Sequence, residues 1–497
     1  MVSQDPKTIK IFHTHIEVSP YEKGENEKVE RMSSVWDDAT HSYYPMGYFI
    51  YKNTLILPRG FNLKVLEDEF ETEAFAIRSC DEYSVIREYH MTAPPENKLQ
   101  LEAINFLTNE GKYVNNGIYS QYALILDTGE GKTYTAIHSI LKLRMKAVII
   151  THQDKIRNQW VNTFLNMTDV PEEELVKITG SETMNSVLEG EIEGTYYFVN
   201  HQTLNSFAKK YGYDKLHEFF IKLRVGVKII DEAHLSFHNL LMIDAFSDTK
   251  KTFYLTATFD RTDKQESRLF KRCFAQACKF DIHRVDKSIT AHKRKHIIYV
   301  PVVYRSSPSQ MQIADTVNMH GFSVINFSKY AFGEDRNQTI LKAFFQIFDM
   351  CINNLDGRIL VTAPLIEQTV LLSKKIDDHL KTLGRKMMVG TINSKNENKD
   401  NEKYKQHADV ICTTIKSSGT GTDIRGLRCV INLEPFSSKI TGNQLAGRLR
   451  EYAPDKDTYF FDLIDTAFPR CYDQYKKKIA KNSDLRNKCK EVRIIKL

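Results

Sequence analysis

The sequence predicts an α/β protein in which two tandem, doubly wound parallel-sheet lobes follow a small N-terminal strand-rich α+β module. Three observations carry this expectation. From residue 94 onward, apolar runs alternate with stretches of helical periodicity, the pattern of parallel strands joined by crossover helices. The same rhythm restarts after a charged, irregular connector at Asp281–Lys295. Before residue 94 the chain has instead short aromatic alternations separated by turn residues.

In the module, Met46-Gly47-Tyr48-Phe49-Ile50-Tyr51 and Thr54-Leu55-Ile56-Leu57 alternate as strands do, and Pro58-Arg59-Gly60 ends the second. Pro94-Pro95 can continue neither a helix nor a central strand, so a boundary falls there. Strands of the first lobe are expected at Tyr122–Leu126, Ala147–Ile150, Tyr196–Val199, Val227–Ile230 and Thr252–Leu255. Those of the second are expected at His296–Val303, Ser323–Phe327, Arg358–Val361, Ala408–Cys412, Arg428–Leu433 and Thr458–Asp462. The chain divides into residues 1–92, an accessory module; 93–285, the first lobe; 286–470, the second; and 471–497, a basic C-terminal tail.

A chain of 497 residues is too long for a single core. Its 41% hydrophobic and 27% charged residues suit a globular protein. No uncharged apolar run approaches the roughly 18 residues of a membrane span, and Met1–Lys10 lacks the apolar core of a secretion signal. A soluble, cytoplasmic protein without a membrane partner is expected. The eight cysteines are scattered without a C-x-x-C pair, which reads as reduced thiols rather than a zinc or redox site. Neither His13 with His15 nor His292 with His296 has companions at metal-site spacing. The net charge of +6 is unevenly placed, because Lys476–Leu497 holds nine Lys/Arg against two Asp/Glu. That segment is the candidate for electrostatic contact with phosphates.

The strongest chemical signal follows Tyr122–Leu126. Asp127-Thr128-Gly129-Glu130-Gly131-Lys132-Thr133 leads into Ala136, Ile137, Ile140 and Leu141 at helical spacing, making strand, glycine loop and helix. Glycines let successive backbone N–H groups turn toward a polyphosphate at a helix N-terminus. Lys132 supplies a point charge, and the Thr133 hydroxyl can ligate Mg²⁺. Thr128, Gly129, Glu130, Gly131, Lys132 and Thr133 are therefore the candidate ATP-binding loop, although Leu126 stands where the full G-x-x-x-x-G-K-T form has its first glycine. Ninety-nine residues beyond Lys132, the apolar run Val227–Ile230 ends in Asp231-Glu232-Ala233-His234. There Asp231 would hold Mg²⁺ and Glu232 would polarise the attacking water.

This order of motifs resembles that of superfamily 2 helicases of the DEAH-box type, over about residues 94–470. The resemblance implies two RecA-like lobes, use of ATP with Mg²⁺, and a nucleic-acid track. Gln100, on a helix with Leu99, Ala103, Phe106 and Leu107 inward, matches the glutamine that reads adenine in that family. Ala147–Thr151 through Gln159-Trp160 and Asn200-His201-Gln202-Thr203-Leu204 resemble its next two motifs, and Leu255-Thr256-Ala257-Thr258 the one coupling ATP to the track. Nucleic-acid contacts are thereby implied for Thr151, Gln202, Thr203, Thr256 and Thr258. Arg261 follows as in the L-T-A-T-x-x-R form of DNA translocases.

In the second lobe, Arg358–Val361 with Thr362-Ala363-Pro364, and Thr413-Thr414 through Ser418–Ile424, resemble motifs IV and V. They imply nucleic-acid contacts at Thr362, Thr413 and Thr414, and nucleotide contacts at Gly421 and Asp423. Gln444-Leu445-Ala446-Gly447-Arg448-Leu449-Arg450 resembles motif VI, which makes Gln444 a nucleotide contact and Arg448 an arginine finger. The family's second arginine position holds Glu451, and Arg450 lies one residue away, about 100° around a helix.

The reading that follows is an ATP-dependent DNA helicase or translocase acting on branched or partly single-stranded DNA. In appearance it is closest to phage recombination and branch-migration helicases and the poxvirus transcript-release helicase. An RNA helicase or transcription-termination motor is one alternative. A nucleotide-dependent switch with little ATPase activity, kept open by Glu451, is another. The module's aromatics and Arg59 are read as a DNA contact, with a cap on the first lobe as the alternative.

Overall fold

The computed structural model describes residues 6–497 apart from 38–39, 78–82, 115–119, 128, 236, 248, 258–263, 275–277, 287, 291–294, 319–320, 416, 418–423, 437–438, 454 and 482. It divides into two compact units, Met1–His292 and Lys293–Leu497.

The first unit opens with β1 (Thr8–Ile11), β2 (His15–Ser19), β3 (Ser34–Asp37), β4 (Ser42–Pro45), β5 (Phe49–Tyr51), β6 (Thr54–Pro58) and β7 (Ala74–Ala76). Among the described residues, five of them form a sheet in the order β5-β6-β2-β1-β7, while β3 and β4 pair as a separate hairpin. Ile9, Ile16, Val18, Leu55, Leu57 and Leu66 fill the module's own core.

The rings of Tyr48–Tyr51 turn out to be internal. The buried Tyr48 donates its hydroxyl to Glu30, while Phe49 and Tyr51 pack on Phe246 of the lobe that follows. Tyr213 stacks on the same phenylalanine at 4.9 Å between centroids, and Lys52 pairs with Asp214 at 2.6 Å. These contacts to the first lobe are those expected of the alternative, a cap, with Phe49 and Tyr51 partly buried. Period-two alternation tells which residues share a face, not what covers that face.

The lobe that follows consists of β8 (Gln121–Ile125), β9 (Ala147–Thr151), β10 (Leu175–Ile178), β11 (Tyr196–Asn200), β12 (Val227–Ile230), β13 (Lys251–Thr256) and β14 (Cys278–Asp281). They form a parallel sheet in the order β10-β11-β9-β12-β13-β8-β14. Both faces are covered: Val148 and Ile150 join one apolar core, Ala147 and Ile149 the other. Strands buried on two sides need apolar residues at every position, which is why the central ones read as unbroken runs.

A buried ion pair lies inside this lobe. Lys228 is fully buried, its ammonium 2.6 Å from Asp244 and 2.7 Å from the Ser247 hydroxyl, while Tyr254 donates to the other Asp244 oxygen at 2.7 Å. Lys228→Ala is expected to destabilise this unit by about 3–5 kcal/mol, because it strands a buried carboxylate. Denaturant unfolding checks this, with Lys228→Met/Asp244→Leu expected to recover most of the loss.

The second unit contains β15 (Ile297–Tyr304), the short hairpin β16 (Val317–Asn318) and β17 (Gly321–Phe322), then β18 (Arg358–Thr362), β19 (Val389–Ile392), β20 (Val410–Thr413), β21 (Leu427–Asn432), β22 (Thr458–Asp465), β23 (Glu491–Val492) and β24 (Ile495–Lys496). Its main sheet runs β19-β20-β18-β21-β22-β15-β23, and β24 also pairs with β15. The expected strand at Ser323–Phe327 is instead a helix, Val324–Lys329. Ser323 caps it by accepting from the Asn326 N–H, and Phe327 is buried while Ile325 is 56% exposed. A short amphipathic turn had the composition of a strand.

The segment read as a basic tail is folded into this sheet. Lys490, Arg493 and Leu497 donate backbone N–H bonds to Ile297, Tyr299 and Val303 along β15, at 2.8, 2.9 and 2.9 Å. Lys478 is buried against Asp462, Lys490 pairs with Asp457 and Lys476 with Asp473. Many of its charges therefore serve internal pairs. Among the described residues no helix is long and apolar enough to cross a membrane, and none groups three or more potential metal ligands. Cys351, Cys412, Cys429, Cys471 and Cys489 are free and buried.

Candidate nucleotide and nucleic-acid site

The chemistry-bearing residues of the first lobe gather at the C-terminal ends of β8, β9, β12 and β13, the edge where open parallel sheets place ligands. Backbone bonds knit these ends together. Leu126 N–H reaches the Thr256 carbonyl at 3.2 Å, Asp231 that of Ile150 at 3.0 Å, and Ala233 that of Leu255 at 3.0 Å.

After β8 the chain turns through Gly129 and Gly131, with φ of 92° and 79°, values that L side chains rarely adopt. Gly131 caps the helix Lys132–Leu143. A Cβ at Gly131 would stand 2.7 Å from Gln100 Nε2, so the buried Gln100 amide lies directly against the loop. Gln100 is held there by its Oε1, which accepts from the Glu96 N–H at 2.9 Å. The Lys132 ammonium donates to the carbonyls of Leu126 and Asp127 at 2.9 and 3.3 Å. Thr133 follows at the helix start, half-buried. This donor set, a glycine loop closely backed by Gln100, an ammonium whose charge acts on Asp231, and a hydroxyl at the helix start, fits a Mg²⁺-nucleotide. Thr128 lies outside the described residues.

Beyond β12, Asp231 accepts from the Trp160 indole N–H at 2.8 Å with one oxygen and from the Glu232 N–H at 3.0 Å with the other. Burial and the adjacent Glu232 push the Asp231 carboxyl up to about 6, while the Trp160 bond and Lys132 pull it back. Glu232 has a left-handed backbone, φ 49°, a conformation that costs a non-glycine residue about 1–3 kcal/mol and clusters at functional positions. His234, buried, lies 3.4 Å from Glu232 and 3.0 Å from the Thr256 hydroxyl, linking the D-E-A-H end of one strand to the L-T-A-T end of the next.

The role of Trp160 was not legible from its position in the chain. Nothing in a helix Asp154–Met167 with a buried tryptophan announces a bond to a carboxylate on another strand. Trp160→Phe is expected to lower Mg²⁺ affinity by about tenfold, as loss of an orienting partner does at metal sites. A Mg²⁺ titration of ATP hydrolysis reads this directly.

Several threonines read as nucleic-acid contacts are instead buried structural groups. Thr151 donates to Asn200 at 2.6 Å, Thr362 to Asn432 at 2.7 Å and Thr413 to the Ile392 carbonyl at 2.7 Å. Thr256 is engaged with His234, and Thr414, also buried, accepts from the Ser417 N–H at 3.1 Å. Strand-end hydroxyls satisfy one another where β-strands stop. Gln202 is exposed and Thr203 half-buried. Thr258, Gly421 and Asp423 lie outside the described residues.

In the second unit the helix carrying Gln444 spans Lys439–Ala446. Arg448 lies just after it, its N–H bonded to the Leu445 carbonyl at 3.1 Å, and Arg450 N–H turns back to Arg448 at 3.1 Å. The helical register used to place Arg450 against Glu451 therefore does not hold there, because the helix has already ended.

The fold and the site define a RecA-like, nucleotide-using enzyme. A family model described as type III restriction enzyme, res subunit, matches residues 95–261. A protein of Invertebrate iridescent virus 6 named as a helicase, 161L, is 23% identical over 418 residues, 77% of this chain and 83% of its own length. The ATP-dependent DNA helicase MPH1 of Pyricularia oryzae is 29% identical over 158 residues, 29% of this chain and only 14% of that protein. Among solved structures, S. cerevisiae Dbp5 bound to RNA and ADP BeF3 has a TM-score of 0.51 at 12% identity, covering 81% of this chain and 89% of the other, a likeness of fold. With the motif order, these matches support a superfamily 2 helicase, an ATP-dependent enzyme.

Proposed function

We propose that the protein is a DNA helicase or translocase that uses ATP to remodel branched or partly single-stranded DNA. The observation that carries the motor reading is that one nitrogen of His234, Nδ1, bonds the Thr256 hydroxyl at 3.0 Å and lies 3.4 Å from the Glu232 carboxylate. It sets the carboxylate that would face the γ-phosphate beside the motif that couples hydrolysis to the track in this family.

Bound ATP with Mg²⁺ supplies the phosphoanhydride whose cleavage releases the energy. Gln100 and the loop Gly129–Thr133 orient the nucleotide, and Lys132 exchanges its two carbonyl partners for phosphate oxygens. Thr133 and Asp231 hold Mg²⁺, with Trp160 fixing the carboxylate. Glu232 orients and deprotonates the attacking water. Arg448 is the candidate for the arginine that neutralises γ-phosphate charge in this family.

DNA is favoured by the match to a DNA helicase over 158 residues and by the L-T-A-T sequence with Arg261. The likeness to an RNA-bound structure is one of fold and does not favour RNA. The exposed Glu451 at the second arginine position is the observation behind a switch-like reading with weak hydrolysis. Forked DNA, single-stranded DNA and single-stranded RNA, compared as stimulators of ATP hydrolysis, test all three. Strongest stimulation by forked or single-stranded DNA is expected. Preference for RNA would move the assignment to an RNA motor, and no stimulation by any of them would favour the switch.

A further inference from the structure

Among the described residues, the exposed Phe, Tyr and Trp rings of the module are Phe75 on β7 and three on the hairpin β3–β4, Trp36, Tyr43 and Tyr44, away from the Tyr48–Tyr51 segment. Trp36 is 37% exposed and Tyr43 48%. They are cross-strand partners, so they stand on the same face, 5.1 Å apart in an edge-to-face pair, with the Arg31 guanidinium 5.8 Å over the tyrosine ring. The opposite face carries Val35, which packs against the apolar core of the first lobe, and its cross-strand partner Tyr44, which is exposed.

The hairpin is held firmly from behind. Trp36 N–H donates to Gln265 Oε1 at 2.9 Å, and Gly47 N–H closes the hairpin's base on the Ser33 carbonyl at 2.8 Å. A Cβ on Gly47 would stand only 3.0 Å from Leu269, so hairpin and helix Lys264–Cys273 are in close contact. That helix follows β13, whose last residue, Thr256, meets His234. Gln265 is its second residue. The hairpin is thus anchored at the beginning of this helix.

We propose that Trp36 and Tyr43 form a platform on which bases of single-stranded nucleic acid stack, a contact that rests on the motor reading above. The ring faces, rather than charge, carry it. Nearby cations are matched by acids, with Arg31 paired to Glu27 and Lys28 to Glu69, and Asp37 sits beside the tryptophan. A net-neutral surface has little to offer phosphates, whereas every unpaired base presents a π-face and duplex bases do not. Rigid anchoring lowers the ordering cost of such a contact.

The chain has two tryptophans, and Trp160 is 1% exposed, so fluorescence can isolate Trp36. Titration of the full chain with oligothymidylate is expected to quench emission, blunt duplex of equal length to leave it nearly unchanged, and Trp36→Phe to abolish the quench. Trp36→Ala and Tyr43→Ala are each expected to weaken single-strand binding by about tenfold. The log–log salt slope should not change, while Trp36→Tyr, which keeps a ring, should retain affinity. A quench that persists in Trp36→Phe, or affinity unchanged in Trp36→Ala/Tyr43→Ala, overturns the platform. The latter is also what a hairpin serving a protein partner would give. If the wild type binds oligothymidylate and hydrolyses ATP in response while Trp36 stays silent, only the platform falls. If no polynucleotide binds or stimulates hydrolysis, the motor reading falls with it.

Discussion

Glu232→Gln is expected to lower nucleic-acid-stimulated ATP hydrolysis by about three orders of magnitude while leaving nucleotide affinity within about twofold. The amide keeps the shape of the side chain and can still meet His234, but it cannot take a proton from water. The substitution also removes a negative charge that helps push the Asp231 carboxyl up to about 6. With that charge gone, the Asp231 value falls. Steady-state hydrolysis with saturating single-stranded DNA, beside direct binding of a fluorescent nucleotide, separates the two effects. A variant that hydrolyses ATP at the wild-type rate would remove Glu232 from the chemistry.

Truncation at residue 475 is expected to unfold the second unit, at a cost above the about 3–5 kcal/mol of breaking one buried ion pair. It removes Lys478, the buried partner of Asp462, which also accepts from Tyr299 at 2.8 Å and Asn432 at 2.8 Å. It also strips β23 and β24 from β15, leaving that strand's backbone groups unpaired along one edge. Calorimetry should show the second unit's transition lost and the first unit's kept. The sequence reading would instead have the truncation flatten only the salt dependence of DNA binding. A truncated chain with two intact transitions would restore the free-tail reading.

The strands missed in the sequence share a position. β10 and β14 are the two edges of the first sheet, and β19 is an edge of the second. An edge strand is partly wet, so Leu175–Ile178 carries the exposed Lys177, and Cys278–Asp281 interleaves polar residues. Both lose the continuous apolar run that marks a central strand. Ser323–Phe327 fails in the opposite sense, because a single helical turn leaves too few residues for period 3.6 to be told from period 2.

What the sequence by itself determined is the nucleotide loop and its acidic partner. Lys132, Thr133, Asp231 and Glu232 each follow a strand run and take their places from the strand–loop transition itself, so their neighbours in the chain are enough to define them. Only the tertiary structure decided what those residues touch. Trp160 reaches Asp231 across 71 residues, Thr256 reaches His234 across 22, and Gln121 meets Tyr254 across 133. It decided, too, that Tyr48–Tyr51 is covered while Trp36 and Tyr43 are not, and that the basic C-terminal segment is structural. Local pattern encodes which face a side chain takes on its own element. Whether that face meets solvent, a core or a counter-charge depends on contacts between elements far apart in the chain, which no local period records.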